Sequence, residues 1–216
     1  MSVVVNNNVA SLIAQRNLNT NSENLIRSIE RLSSGYRINR ASDDAAGLSI
    51  SENLRAQIRG NKQAINNIQD GINLLQIAES GLSVMNENIQ RIRELCVQAA
   101  NETNGTAERS AILSEINARL ADINRISSST KFNSIGLLDG SQSVLNIQIG
   151  AGASSTNVLN LAGILIKSTV TELGIDLTAA GNTWTADDIR SYLTKLDTAL
   201  LGLISRRSEL GAFQNR

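Results

Sequence analysis

The sequence contains no histidine and no proline, one cysteine, and only 2% aromatic residues. Each shortage closes off a class of protein. Without histidine there is no imidazole to act as a general base near neutral pH, no Ser-His-Asp arrangement and no zinc site of the HExxH type. No glycine-rich phosphate loop of the P-loop or dinucleotide type occurs either. An enzyme is therefore not expected, and neither is a cofactor or a metal. With Cys96 alone, no intrachain disulfide can form; set among aliphatic neighbours, its thiol reads as a small buried hydrophobe rather than a nucleophile. Without proline, no helix need be kinked or stopped by a ring that lacks an N–H. With so few aromatic rings, a round core loses a main source of buried area. The 41% apolar content comes mostly from Leu, Ile, Val and Ala, which suit long, slender helix packing.

Charge of one sign is also missing. Lys plus Arg and Asp plus Glu both number 20, so no global attraction to nucleic acid or to an anionic membrane is expected. The opening residues Met1-Ser2-Val3-Val4-Val5-Asn6 lack the basic and apolar regions of a secretory signal, and no apolar run is long enough to span a bilayer. Neither nucleic acid nor membrane insertion is expected.

What the sequence has in abundance is sevenfold repetition. Ile68, Leu75, Leu82, Ile89 and Cys96 form one row, and Ala64, Gly71, Ala78, Met85, Ile92 and Ala99 a second, offset by four and three. These rows predict a coiled-coil seam on a helix from about Asp44 to Ala100, a rod on the order of 80 Å at 1.5 Å per residue. Leu18, Leu25 and Leu32 repeat in the same way upstream, with Ile29 between them and Val5, Val9 and Leu12 extending the stripe. That earlier helix closes at Gly35, and Ser42 or Asp43 is placed to cap the next. A third helix follows Asn104-Gly105, capped by Thr106, with Ile112, Ile116, Leu120 and Ile123 on one face. A fourth opens with a capping box, Thr185 to Asp188, and carries Ile189, Leu193, Leu196, Leu200, Leu203 and Leu210, with Arg207 in the remaining seam position.

Between the third and fourth helices the period drops to two. Val144 to Ile149 alternates and follows the turn dipeptide Asp139-Gly140, so a β-hairpin is expected between Ile135–Leu138 and Val144–Ile149. A small-residue loop runs from Gly150 to Thr156, and short strands are expected between Val158 and Asn182. The expected fold is mainly α: an elongated antiparallel helical bundle or coiled coil with a small β-hairpin region. Its expected domains are an N-terminal helix and turn (1–43), a rod-like core (44–182) and a returning helix (183–216).

The segment Leu32-Ser33-Ser34-Gly35-Tyr36-Arg37-Ile38-Asn39-Arg40-Ala41-Ser42-Asp43-Asp44-Ala45-Ala46-Gly47-Leu48-Ser49-Ile50 closely resembles the N-terminal signature of bacterial flagellins. The likeness continues through Gln90-Arg91-Ile92-Arg93-Glu94-Leu95-Cys96-Val97-Gln98-Ala99-Ala100-Asn101 and Lys131-Phe132-Asn133. It resumes at Ser208-Glu209-Leu210-Gly211-Ala212-Phe213-Gln214-Asn215-Arg216. The resemblance implies a hairpin-shaped subunit whose N- and C-terminal helices lie side by side, with a variable outer part inserted between them; here that insert is short, roughly Gly150 to Asn182. Flagellins normally continue well past the position matched by Arg216, so a chain shortened after the start of the C-terminal segment is expected.

By the same resemblance the chain is expected to be a structural subunit of the flagellar filament. Such a subunit self-assembles as a homopolymer for motility, lies outside the cell, and leaves through the flagellar type III export apparatus without a cleaved signal peptide. Its implied partners are other subunits and the hook-associated and cap proteins. Within it, Gly35, Arg37, Arg40, Asp43 and Asp44 on the turn between the first two helices are expected at the subunit interface, although Asp43 and Asp44 also suit ordinary helix capping. Flagellins with a segment like Gln90 to Gln98 are recognised by a Toll-like innate receptor. The implied contact residues are Arg91, Leu95, Gln98 and Glu115; the plainer reading of these residues is a solvated face beside the seam. Two competing readings are a hook–filament junction protein, which shares the helical ends, and a helical signalling module, which would need a membrane span or sensor domain.

Overall fold

The computed structural model describes residues 8–142, 144–161, 163, 165–177 and 184–216. The protein is mainly α. Its helices are α1 (Val9–Ser34), α2 (Ala45–Ala99), α3 (Thr106–Ser129) and α4 (Ala186–Asn215), and its short strands are β1 (Lys131–Phe132), β2 (Ile135–Gly136), β3 (Asn146–Gln148) and β4 (Val158–Asn160). Contacts divide the chain into two compact units, the first ending at Arg59 and the second beginning at Gly60, with α2 contributing to both.

In the first unit, α1 starts where the Asn8 side chain accepts a hydrogen bond from the Ser11 N–H at 3.2 Å. It stops at Gly35, which takes the left-handed conformation (φ 72°) and donates its N–H to the Arg31 carbonyl. No residue of α1 is buried. Its leucine heptad is present but uncovered, Leu18, Leu25 and Leu32 being 69%, 61% and 86% exposed. Val5, the stripe's first member, lies outside the described residues.

The second unit holds the core. Every member of the row Ala64, Gly71, Ala78, Met85, Ile92 and Ala99 is buried, as are Leu75, Leu82, Ile89 and Cys96. Ile68 departs from the expected seam: it is exposed, on the rim of a groove of about 410 Å³ between α2, the β3–β4 hairpin and the end of α4. Leu74 and Leu95, outside both rows, are buried, because α2 is covered by more than one neighbour and a single seam is too narrow for that arc. α4 runs antiparallel to α2: Arg93 Nε meets Asp197 Oδ1 at 2.7 Å, while Glu79 receives Arg207 at 3.7 Å and Gln214 at 3.2 Å. α3 is also antiparallel to α2, Arg91 meeting Glu115 at 3.5 Å and Arg119 donating to Asn88 at 3.2 Å.

Two helix starts differ from expectation. α2 is capped by Asp44, whose Oδ1 accepts from Gly47 N–H at 2.8 Å, in line with the capping reading of Asp44 and in place of Ser42 or Asp43. α3 is preceded by Gly105 in extended conformation with no side-chain cap, and Thr106 is its first helical residue. The capping box of α4 forms as read: Asp188 N–H donates to Thr185 Oγ1 at 3.3 Å and Thr185 N–H to Asp188 Oδ2 at 3.0 Å. The buried face of α4 is rotated toward Tyr192 and Ala199, leaving Leu193 and Leu200 half-buried. Tyr192 anchors that face by donating its hydroxyl to the Ile175 carbonyl at 2.6 Å, with Trp184 packed edge-on against its ring.

The expected hairpin is replaced by two smaller ones. β1 pairs with β2 around Asn133 and Ser134, both at positive φ. β3 pairs with β4, not with residues 135–138, in the register Asn146↔Asn160, Ile147↔Leu159 and Gln148↔Val158. Asp139-Gly140 does turn the chain, with Gly140 at φ 75° and Asp139 accepting from Ser141 N–H. The residues before it were needed elsewhere: Leu137 and Leu138 are each 1% exposed, and the Leu138 carbonyl accepts from Ser127 Oγ at 2.7 Å and from Ser168 N–H at 2.9 Å. Past β4 no further strand occurs among the described residues; residues 178–182 of the expected strand region lie outside them. Instead Val170, Leu173 and Ile175 pack into the core from a loop held by Asn124, which accepts from Val170 N–H, and by Arg206, which donates to Ser168.

Candidate functional site

The turn between α1 and α2 belongs wholly to the first unit. Gly35 ends α1, and a Cβ there would meet nothing within 4 Å, so the left-handed backbone and not crowding selects glycine. Arg40 Nε reaches back to Glu30 Oε1 at 3.0 Å. Asp43 Oδ2 accepts from the backbone N–H groups of Asn39 and Arg40 at 3.3 and 3.2 Å. Those two donors are the main reason the Asp43 carboxyl lies below the ordinary range. Asp44 caps α2, and Arg37 is exposed, with no ion pair or hydrogen bond to its guanidinium among the described residues. The five turn residues therefore form one structured loop, with Asp43 and Asp44 each committed to backbone N–H groups.

Sequence reading did not anticipate two further members of this turn. The Arg55 guanidinium lies 4.3 Å from the centre of the Tyr36 ring, and its Nη1 pairs with Glu52 at 2.6 Å. On the inner side, Ile38 sits over Gly47, where a Cβ would fall 2.8 Å from Ile38 Cδ1. The signal available in the sequence was helical spacing: Gly47, Ser51 and Arg55 lie on one face of α2.

The second set of residues lies in the second unit. Arg91 is exposed and pairs with Glu94 at 2.9 Å and with Glu115 across to α3, Glu94 contributing most to the raised guanidinium pKa. Glu115 is shared with Arg119 at 3.8 Å. Gln98 is exposed. Leu95 differs from these three: at 2% exposure it belongs to the core. Cys96, its neighbour, is fully buried, and desolvation pushes its thiol up to about 12.

Long antiparallel helices, a core drawn from heptad rows and a first helix whose apolar stripe is uncovered define a mainly helical protein of coiled-coil type. The family model of the bacterial flagellin N-terminal helical region matches residues 5–143. A flagellin of Halalkalibacterium halodurans is 40% identical over 99% of this chain and 77% of its own length. Other curated flagellins are 45% to 50% identical, and the chain spans only 33% to 49% of their length. The crystal structure of Bacillus cereus flagellin superimposes with a TM-score of 0.57 at 25% identity, covering 70% of this chain and 84% of that one. A structure described as a flagellar hook-associated protein from Vibrio parahaemolyticus gives a TM-score of 0.63 at 16% identity, covering 82% and 90%, and shares the fold alone. The chain belongs to the bacterial flagellin family, whose members are structural proteins and not enzymes.

Proposed function

We propose that this chain is a subunit of a flagellar filament, built by burying helix surfaces between copies. The observation that carries the reading is α1: a capped helix with an apolar stripe and no buried residue. Uncovered leucines in water forgo roughly 1.5–3 kcal/mol each relative to burial, so such a stripe calls for further helices to cover it, from the same chain or from neighbouring copies. Contacts repeated from copy to copy without closing a ring give an open filament. Family membership supports this reading over a signalling module, and the strength of the Leu32 to Ile50 match supports it over a hook–filament junction protein. Gly35, Arg37, Arg40, Asp43 and Asp44 are the proposed interface turn. Export through the flagellar type III apparatus, and meeting the hook-associated and cap proteins outside the cell, belong to the same reading. The test is expression of the encoding gene in a host deleted for its own flagellin. Filaments and restored swimming are expected, with Arg40→Ala lowering filament yield while the melting of the second unit is unchanged; secreted monomers that never polymerise would reject the proposal.

A second reading is favoured by the exposed Arg91–Glu115 pair across α2 and α3. We infer that this surface, with Gln98, is the part of the chain that a Toll-like receptor would touch, Leu95 supporting it from the core beneath. A receptor-reporter assay is expected to respond to the purified protein and to weaken with Arg91→Ala, which removes the cation of this surface and its pairs with Glu94 and Glu115. No response to the unaltered protein would end this reading.

A further inference from the structure

Three attachments hold the Gly35–Asp44 turn along the opening turns of α2, and they are strung out in order. At the near end Asp44 caps the helix and Asp43 gathers the Asn39 and Arg40 N–H groups. In the middle Ile38 lies on Gly47. At the far end Tyr36 meets Arg55, eight residues beyond Gly47, which is about 12 Å further along the helix. The chain leaving α1 thus runs back along α2. Tyr36 itself is fixed from behind: its N–H donates to Ser34 Oγ at 3.2 Å, its carbonyl accepts from Asn39 Nδ2 at 3.5 Å, and Gly35 sets the bend.

We propose that Tyr36 and Arg55 form a cation–π latch that positions the interface turn for assembly, a role that rests on the filament reading above. Arg55 is the right partner because its planar guanidinium can stack on a ring while still pairing with Glu52 at 2.6 Å. That pair holds the guanidinium at the level of the ring. Tyr36 is 55% exposed, so its ring is not held by core packing, and the face-on contact at 4.3 Å is the restraint at this end. With the latch open, the turn keeps its attachments at Asp43, Asp44 and Ile38 and the Arg40–Glu30 pair back to α1, but its Tyr36 end loses its hold on α2. A partner must then order that end on binding, which weakens the contact.

The experiment uses the full chain and two readouts. The first is tryptic cleavage after Arg37 and Arg40 under native conditions, followed by mass spectrometry; the second is the protein concentration at which filaments form. Tyr36→Leu keeps apolar bulk but removes the ring face, and Arg55→Ala removes the cation. Each is expected to speed cleavage and raise the assembly concentration by about two- to fivefold, the factor an exposed cation–π contact carries. Tyr36→Phe keeps the ring face and is expected to match the unaltered protein in both. If Tyr36→Leu behaves like Tyr36→Phe, or if cleavage changes while assembly does not, the latch as a positioning device is overturned. Failure of the unaltered protein to polymerise counts against the filament reading instead, and the cleavage series still reads the latch.

Discussion

Glycines on α2 and α4 make opposite predictions although all of them sit in helices. A Cβ on Gly60 would fall 2.6 Å from the Ala151 Cβ and 3.3 Å from its Cα, whereas one on Gly202 would meet nothing within 4 Å. Gly202→Ala is therefore expected to stabilise by about 1 kcal/mol, the ordinary helix gain of alanine over glycine. Gly60→Ala meets backbone that must move and is expected to destabilise by about 1–2 kcal/mol net of that gain; thermal unfolding followed by circular dichroism checks both. Cys96 gives the pH dependence. Its thiol is raised from 9.0 to about 12 by burial, so the folded form holds its proton where the unfolded form has lost it. Its contribution is fully present below pH 9 and is lost as pH rises toward the folded value, at about 1.4 kcal/mol per pH unit. Tyr192, also raised by burial, acts in the same direction at higher pH. Stability is expected to fall above pH 9, and Cys96→Ala to flatten the first part of that fall; an unchanged alkaline profile in the variant would assign the loss elsewhere.

Elements were legible in the sequence to the extent that their signals were local. The stop at Gly35 and the start at Thr185 are each written within four residues, and both formed. Thr185→Ala removes the hydroxyl that accepts from Asp188 N–H and is expected to cost about 1 kcal/mol, read as a lower midpoint in urea with the slope unchanged. Pairing of strands was not local. Asp139-Gly140 is as good a hairpin turn as the sequence holds, yet the path of the chain after Ile135-Gly136 is decided by the burial of Leu137 and Leu138 beneath Ser127 and Ser168. β3 was left to find β4 across a loop of small residues whose only signal was its flexibility. The heptad rows marked most of the buried face of α2, but a sevenfold count assumes a single partner; it missed Leu95, which α2 buries, and overcalled Ile68, which lines an open groove. The proposed interface turn was visible as a motif, while Tyr36 over Arg55 was not, because only the fold brings that ring beside α2.

At the scale of the molecule, apolar burial is unevenly shared. All of the core cluster lies in the second unit, and α1 has no buried residue. In the dissolved subunit, amides of α1 are expected to exchange with solvent orders of magnitude faster than those of α2 between Leu74 and Ala99, as hydrogen-exchange mass spectrometry would read. Leu25→Asp is expected to leave the melting of the second unit within about 0.5 kcal/mol of its original stability while suppressing filament formation; equal polymerisation would show that the stripe has no part in it. The antiparallel seam between α2 and α4 has a consequence in time. Arg93 meets Asp197 and Glu79 meets Gln214, partners 104 and 135 positions apart, so this core is closed by contacts distant in sequence. Ile89, Ile92 and Cys96 share their cluster with Leu196 and Leu203. The seam between α2 and α4 therefore cannot close until the two ends of a loop 104 positions long meet, which makes it form later than the local helices it joins.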